Sequence, residues 1–195
     1  MKRITLLTIA VFSLGLANAQ TKWSIDPSHS KVGFSVSHLV ISEVEGKFDK
    51  FSATMEHTKE DFSDAEISFE ANVNSINTDN DQRDGHLKSE DFFYAEKYPK
   101  MTFKSTSFKK KSGNKYVLKG NLTMRGVTKS VTLNVKHGGT IANDGYGNTK
   151  SGFIISGEIN RIDYGVAWNA KTEHGGWTVG EEVALTIKLE LVKQK

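Results

Sequence analysis

From Glu182 to Leu191 the chain alternates without a break: Val183, Leu185, Ile187, Leu189 and Leu191 are apolar, and smaller or polar residues fall between them. Successive side chains on a β-strand point to opposite faces, so this segment is a strand with one dry and one wet face. Ile67, Phe69, Ala71 and Val73 repeat the pattern, as do Val131, Leu133 and Val135. Less regular runs cover 30–39, 46–57, 100–110, 115–125 and 150–161, which makes eight substantial strands plus a short one from Lys22 to Ile25. Clusters such as Lys111-Ser112-Gly113-Asn114 and Asn143-Asp144-Gly145 separate most of them. Links this short join antiparallel neighbours, and no recurring helix offers a parallel crossover.

Two runs break phase. Phe48 and Phe51 cannot share a face of a regular strand, which predicts a bulge near Asp49-Lys50. Ile154 is out of step with Phe153 and Ile155, which predicts a stretch covered on both sides. The segment from Asn77 to Pro99 lacks alternation and carries helix signals: Thr78 or Asp79 as cap of one short helix, Ser89 as N-cap of a second with Glu90 and Asp91 in its first turn. Its Leu87, Phe92, Phe93 and Tyr94 are too apolar for a solvated loop, so the insert is expected to pack over an opening of the sheet. The Gly-rich stretch from Ile162 to Val179, with Trp168 and Trp177, is long enough to be a functional or covering loop.

Eight antiparallel strands with apolar faces can form a sandwich or a closed barrel, and only the barrel removes exposed edges. The fold expected is all-β: an eight-stranded antiparallel barrel with a short helical insert between the third and fourth long strands. An interior of that size is either filled by side chains or holds one small ligand. Phe34, Phe69, Met101, Phe103, Met124 and Phe153 share the inward phase, and Gly120 and Gly157 in the same phase would leave room beside them. A transmembrane barrel would turn the same faces outward. The ending Val192-Lys193-Gln194-Lys195, the irregular loop lengths and the helical insert favour a barrel that does not span a membrane.

Before the first strand, Lys2 and Arg3 precede an apolar run from Ile4 to Leu16 and the small-residue motif Ala17-Asn18-Ala19. That order reads as a secretory signal peptide over 1–19, cleaved after Ala19, which leaves one domain over 20–195 and a periplasmic location. The formal net charge of the whole chain is +3, and without Lys2 and Arg3 it nearly vanishes, so no electrostatic footprint for nucleic acid remains. There is no cysteine to carry a lipid anchor, a disulfide or a thiol nucleophile.

Among the polar residues, His38 continues the inward phase of Val32, Phe34 and Val36, either as a satisfied core histidine or as a hydrogen-bond partner of a ligand head group or of the Arg83 or Asp84 side chain. Arg83, Asp84 and His86 form the densest cluster of the insert; as ligands they would mark a metal or anion site, and the reading preferred is that Arg83 and Asp84 pair and pin the insert to the barrel. Arg161 and Asp163 invite the same structural reading. The six histidines, His29, His38, His57, His86, His137 and His174, show no paired metal-ligand spacing, and no nucleophile elbow is present, so neither a metal nor a catalytic residue is assigned.

Several short motifs then occur in order. They are Trp23-Ser24-Ile25-Asp26 with His29-Ser30; Gly46 and Phe48; Asp81-Gln82-Arg83-Asp84-Gly85-His86-Leu87-Lys88-Ser89 with Asp91-Phe92-Phe93 and Tyr98-Pro99; Gly120-Asn121-Leu122-Thr123 with Gly126-Val127-Thr128-Lys129; Arg161-Ile162-Asp163-Tyr164-Gly165; and Gly180-Glu181-Glu182-Val183. In this set the chain resembles the YceI-like, polyisoprenoid-binding family over nearly all of residues 20–195, departing at Tyr94, where the family often carries an acid. The resemblance implies a lipocalin-like barrel, a periplasmic or secreted location, and a long isoprenoid or similar amphiphile inside, with no other cofactor. Phe34, Val36, Phe69, Phe92, Phe93, Met101, Phe103, Leu122, Met124, Phe153, Ile155 and Trp168 are then the expected apolar lining, and His38, Arg83, Asp84 and His86 the polar or pinning groups. The partner is a hydrophobic small molecule and the protein a monomer or homodimer. An enzyme acting on a bound isoprenoid or quinone-like lipid, or a filled barrel with a stress-related role, are the alternatives.

Overall fold

A computed structural model describes residues 20–173 and 175–195, so the expected leader 1–19 and His174 lie outside the described residues. The strands are β1 (Thr21–Ile25), β2 (Lys31–His38), β3 (Ser42–Phe48), β4 (Phe51–His57), β5 (Glu66–Asn72), β6 (Ile76–Asn77), β7 (Lys100–Ser112), β8 (Lys115–Met124), β9 (Val127–Ile141), β10 (Lys150–Asn160) and β11 (Val179–Lys193), with one helix, α1 (Asp81–Lys88), between β6 and β7.

Six of these segments join end to end. β1 and β2 both lie along one edge of β11, at Leu191–Lys193 and Val183–Lys188 respectively. β3 and β4 run along β2 and β1 in turn, and β6 and β5 along β3 and β4. Three composite strands and β7 to β11 therefore make an eight-stranded antiparallel ring that closes where β1 meets β11. The short helical insert follows the third composite strand, as the sequence predicts.

The composite strands are interrupted at neighbouring places: Pro27–His29, Asp49–Lys50 and Val73–Ser75. The Asp49 amide donates to the Ser75 carbonyl (3.0 Å) and the Lys50 amide to Ser75 Oγ (2.9 Å), so the two breaks satisfy each other's backbone. The predicted irregularity at Asp49-Lys50 is thus part of a corner that bends the sheet and lets the ring close.

Inward phase follows the sequence, with Val32, Phe48, Ala53, Met55, Ala71, Leu118, Leu122, Leu133, Val135, Phe153 and Ile155 buried. The outer face carries exposed Glu45, Lys104, Lys119, Glu158 and Lys188, in place of the apolar band a transmembrane barrel needs. Ile154 corrects an expectation. It is 44% exposed on that outer wall, opposite Lys188 and Lys136 in the ladder, and is not covered on both sides. A single outward isoleucine is tolerated because it makes no contiguous apolar patch.

The insert differs in detail from the sequence reading. Asn80 caps α1 by accepting from the Arg83 amide (2.9 Å), so neither Thr78 nor Asp79 is the cap. Ser89 ends α1 instead of starting a second helix. The Phe93 amide donates to the Leu87 carbonyl (3.0 Å) and the Ala95 amide to that of Lys88 (2.9 Å), folding residues 89–97 back on α1 as successive turns. Burial of Phe92 and Ala95 outweighs the local preference of Ser89-Glu90-Asp91 for a helix start.

Candidate functional site

Several inward residues are only half-buried: Phe34, Ile67, Phe69, Val131, Leu185, Ile187 and Leu189. They sit in the middle of strands and face the axis, so the space they border is hollow. The hollow is a string of chambers. At one end a mouth of about 530 Å³ is lined by Phe34, Val36, Val44, Leu87, Phe92, Trp168 and Val179, with Ser37, His38, Asn80, Gln82, Arg83, His86 and Thr178 among them. Next comes a chamber of about 80 Å³ bordered by Phe34, Val36, Phe48, Phe93, Met101, Met124, Ile159, Arg161 and Leu185. A third, also about 80 Å³, is wholly apolar and lined by Phe34, Ile67, Phe69, Phe103, Leu118, Leu122, Ile155, Ile187 and Leu189 among others. A last void of about 20 Å³ ends between Met55, Phe108, Val135, Phe153 and Leu191. Adjacent chambers share wall residues, and Phe34 borders three of them.

Each of the twelve residues expected as apolar lining borders this string: Phe34, Val36, Phe92 and Trp168 at the mouth, Phe93 and Met124 in the second chamber, Met101 in the second and third, Phe69, Phe103 and Leu122 in the third, Ile155 in the third and fourth, and Phe153 in the fourth. Sequence reasoning missed Phe48, Leu87, Val179 and the β11 residues Leu185, Ile187 and Leu189 as lining. The strict alternation of β11 could have found the last three.

Glycine keeps the axis open, though not as the sequence suggests. A Cβ on Gly46 would fall 2.3 Å from Phe34 Cζ, and one on Gly120 2.3 Å from Phe103 Cζ. One on Gly157 would meet Leu133 at 2.6 Å. The glycines therefore do not border empty space. They let two aromatic rings lie flat against the wall, which leaves the centre free.

The far end is a floor. Trp23 Nε1 donates to His57 Nε2 (2.8 Å), and His57 Nδ1 lies 2.8 Å from the Lys59 carbonyl, so the proton sits on Nδ1 and both ring nitrogens are satisfied in the neutral form. Phe62 packs on His57 (centroids 4.5 Å), His137 (5.1 Å) and Phe153 (5.5 Å). His137 Nε2 bonds Ser151 Oγ (2.9 Å), and its burial pushes its pKa below the ordinary value. Outside this plug, Lys150 Nζ lies 3.0 Å from Asp26, 2.8 Å from Glu190 and 3.7 Å from Asp144. Asp26, His29 and Glu190 approach one another closely enough to share a cation, and the Lys150 ammonium supplies that charge to both acids.

Polar groups gather at the mouth. His38 is half-buried there, and among the described residues its imidazole makes no hydrogen bond. His86 Nε2 meets Asp91 Oδ2 (2.9 Å) and stands edge-on to Phe92 and Trp168. Arg83 and Asp84 do not pair with each other. Both fasten to Thr78: Arg83 Nε donates to its Oγ1 (2.8 Å) and Nη2 to its carbonyl (2.7 Å), while buried Asp84 accepts from its amide (2.9 Å) and hydroxyl (2.6 Å). Adjacent helical residues point in different directions, which is why one strand-end threonine joins them. The insert is pinned as expected, by another route, and Asp84 does not border the cavity. Arg161 likewise ignores exposed Asp163. Its buried guanidinium donates to the carbonyls of Val166 (2.5 Å), Trp168 (3.0 Å), Val179 (3.2 Å) and Gly180 (2.7 Å), holding the covering loop across the mouth, and desolvation lowers its pKa.

Comparison with known proteins matches this geometry to a family. A sequence model of the YceI-like domain matches residues 23–191. A UPF0312 protein of Staphylococcus aureus is 38% identical over 170 residues, covering 87% of this chain and 96% of the relative. The solved Campylobacter jejuni YceI protein superposes with a TM-score of 0.70 at 33% identity, covering 88% of this chain and 97% of that one. A polyisoprenoid-binding domain from Saccharophagus degradans, implicated in plant cell wall breakdown, shares the fold with a TM-score of 0.61 at 17% identity, covering 88% of this chain and 98% of that domain.

Proposed function

The chain belongs to the YceI-like domain family, and from that premise we propose that it is a periplasmic binding protein for a long-chain amphiphile, a polyisoprenoid or similar lipid. The carrying observation is the string of apolar chambers reached through a mouth where most of the polar side chains gather. Length and dryness supply affinity. Each methylene moved from water into such a channel is worth about 0.8 kcal/mol, so ten buried carbons give roughly 8 kcal/mol before ordering costs. The narrow inner chambers suit a single chain, and the wider mouth suits its head, beside His38, Arg83 and His86. That a polyisoprenoid-binding domain shares the fold supports an isoprenoid among the candidate ligands.

The proposed role is binding and release without chemical change, and the channel is complete within one chain. The leader-like segment 1–19 supports export to the periplasm. Native mass spectrometry of protein gently purified from cell extracts tests this reading. A co-purifying hydrophobic molecule at near one per chain is expected. Protein that arrives empty and ignores added isoprenoid alcohols and fatty amides overturns it.

A further inference from the structure

The turn between β2 and β3 is Leu39-Val40-Ile41, and all three side chains face solvent, at 40%, 72% and 86% exposure. Leu39 and Val40 both adopt left-handed backbone, with φ of 53° and 68°. Turns with two successive residues in that region favour Asn and Gly, and a β-branched residue there is strained. This tip therefore keeps apolar side chains against both solvation and backbone preference.

The tip touches the covering loop. The Leu39 amide donates to the Thr178 carbonyl (2.9 Å), and a Cβ on Gly176 would lie 3.1 Å from Val40 Cγ2. Beside it Trp177 is 49% exposed, with Lys171 Nζ 5.9 Å from its ring. The flanking His38, Thr178 and Val179 line the mouth, so these four apolar groups form part of its rim. The other large exposed apolar residues among those described are Ile141 at the end of β9 and Tyr146 on the β9–β10 connection, both at the floor end, and Ile154 on the outer wall.

We infer that Leu39, Val40, Ile41 and Trp177 dock the mouth against the surface of a lipid bilayer, so that the ligand passes between membrane and cavity without crossing open water. The inference rests on the lipid-binding reading for its purpose, and on the rim geometry for its location. A bilayer suits the patch better than a protein, because four residues fall far short of the roughly 20–30 a side of a stable protein interface. A half-exposed tryptophan with a lysine alongside is the pairing found where proteins meet the headgroup region, the ring at the interface and the ammonium in water.

The test uses the purified chain from Gln20 onward, which contains every described strand, in flotation with vesicles of phosphatidylethanolamine and phosphatidylglycerol. Wild type is expected to float, and V40D/I41D to lose at least about tenfold in partitioning. Y146D, at the other end, is expected to float like wild type. Vesicles with brominated acyl chains should quench wild-type tryptophan emission, and Trp177→Phe should remove most of that quenching, a reading that stands even if the double variant fails to fold. Uptake of a fluorescent long-chain alcohol in vesicle-free buffer, measured for each protein, separates the two readings: unchanged uptake with lost flotation isolates docking, and flotation without any uptake leaves docking intact while removing the lipid cargo. No flotation by wild type, flotation insensitive to V40D/I41D, loss through Y146D, or absent quenching would each overturn the inference.

Discussion

The two ends of the barrel put the same kinds of side chain to opposite uses. At the floor, Trp23, His57, Phe62, His137 and Phe153 pack ring against ring, and the Trp23 indole N–H, both His57 nitrogens and His137 Nε2 find partners within the protein. At the mouth, residues of similar chemistry (Phe34, Phe92, Trp168, His38 and His86) border open space, held by one short helix and an arginine-pinned loop. The same aromatic and imidazole groups are a plug where they fill the end of the barrel, and a wall where, although His86, Phe92 and Trp168 also touch one another, they leave a face on the cavity. On the proposed reading, a bound lipid would enter and leave through the mouth.

The largest effect that would sharpen this contrast is at the floor. Phe62→Ala should cost about 3–5 kcal/mol of stability in a denaturant titration, the usual range for a buried phenylalanine. His86→Ala at the mouth, which removes a solvent-exposed pair, should cost under about 1 kcal/mol. Equal losses at the two ends would break the comparison. Next, Gly46→Ala should drive Phe34 off the wall and into the axis, costing about 1–3 kcal/mol and weakening uptake of a long-chain probe. Adding Phe34→Leu should restore uptake.

A smaller effect is acid sensitivity at the floor. Hydrogen bonds from Asn148 and backbone amides hold Asp144 down to about 2, and the Lys150 ammonium with His29 holds Asp26 lower still. Folded values below the unfolded carboxylate value of about 3.9 mean that this support is present above pH about 4 and is lost as pH falls towards 2. Thermal melts across that window should fall less steeply for Lys150→Met than for wild type. The smallest effect is His38→Ala, which should leave the melting temperature unchanged and weaken a hydroxyl-headed probe several-fold, about 1 kcal/mol for one hydrogen bond.

Much of this was legible in the sequence, for a definite reason. Period two assigns each residue to a face whatever its partner strand, so Phe69, Phe103 and Ile155 could be placed on the axis without knowing any register. Partners were not legible. Arg83 and Asp84 are neighbours in sequence yet reach Thr78 separately, and Arg161 finds four carbonyls instead of Asp163. The floor was hidden too, because Trp23, His57, Phe62 and His137 come from three strands and a loop that only closure brings together. Ile154 and Ser89 misled because local pattern was outweighed by ladder position in one case and by burial of Phe92 in the other.

On the proposed reading, the hollow interior takes a lipid chain from the mouth inward. A crystal structure with a long-chain alcohol brominated at its tail tests this most directly, through the anomalous signal of bromine. A single peak is expected deep in the barrel, between Leu118, Ile155 and Leu189, with the hydroxyl near His38. Bromine found only on the outer surface, or an axis closed by side chains, would contradict it.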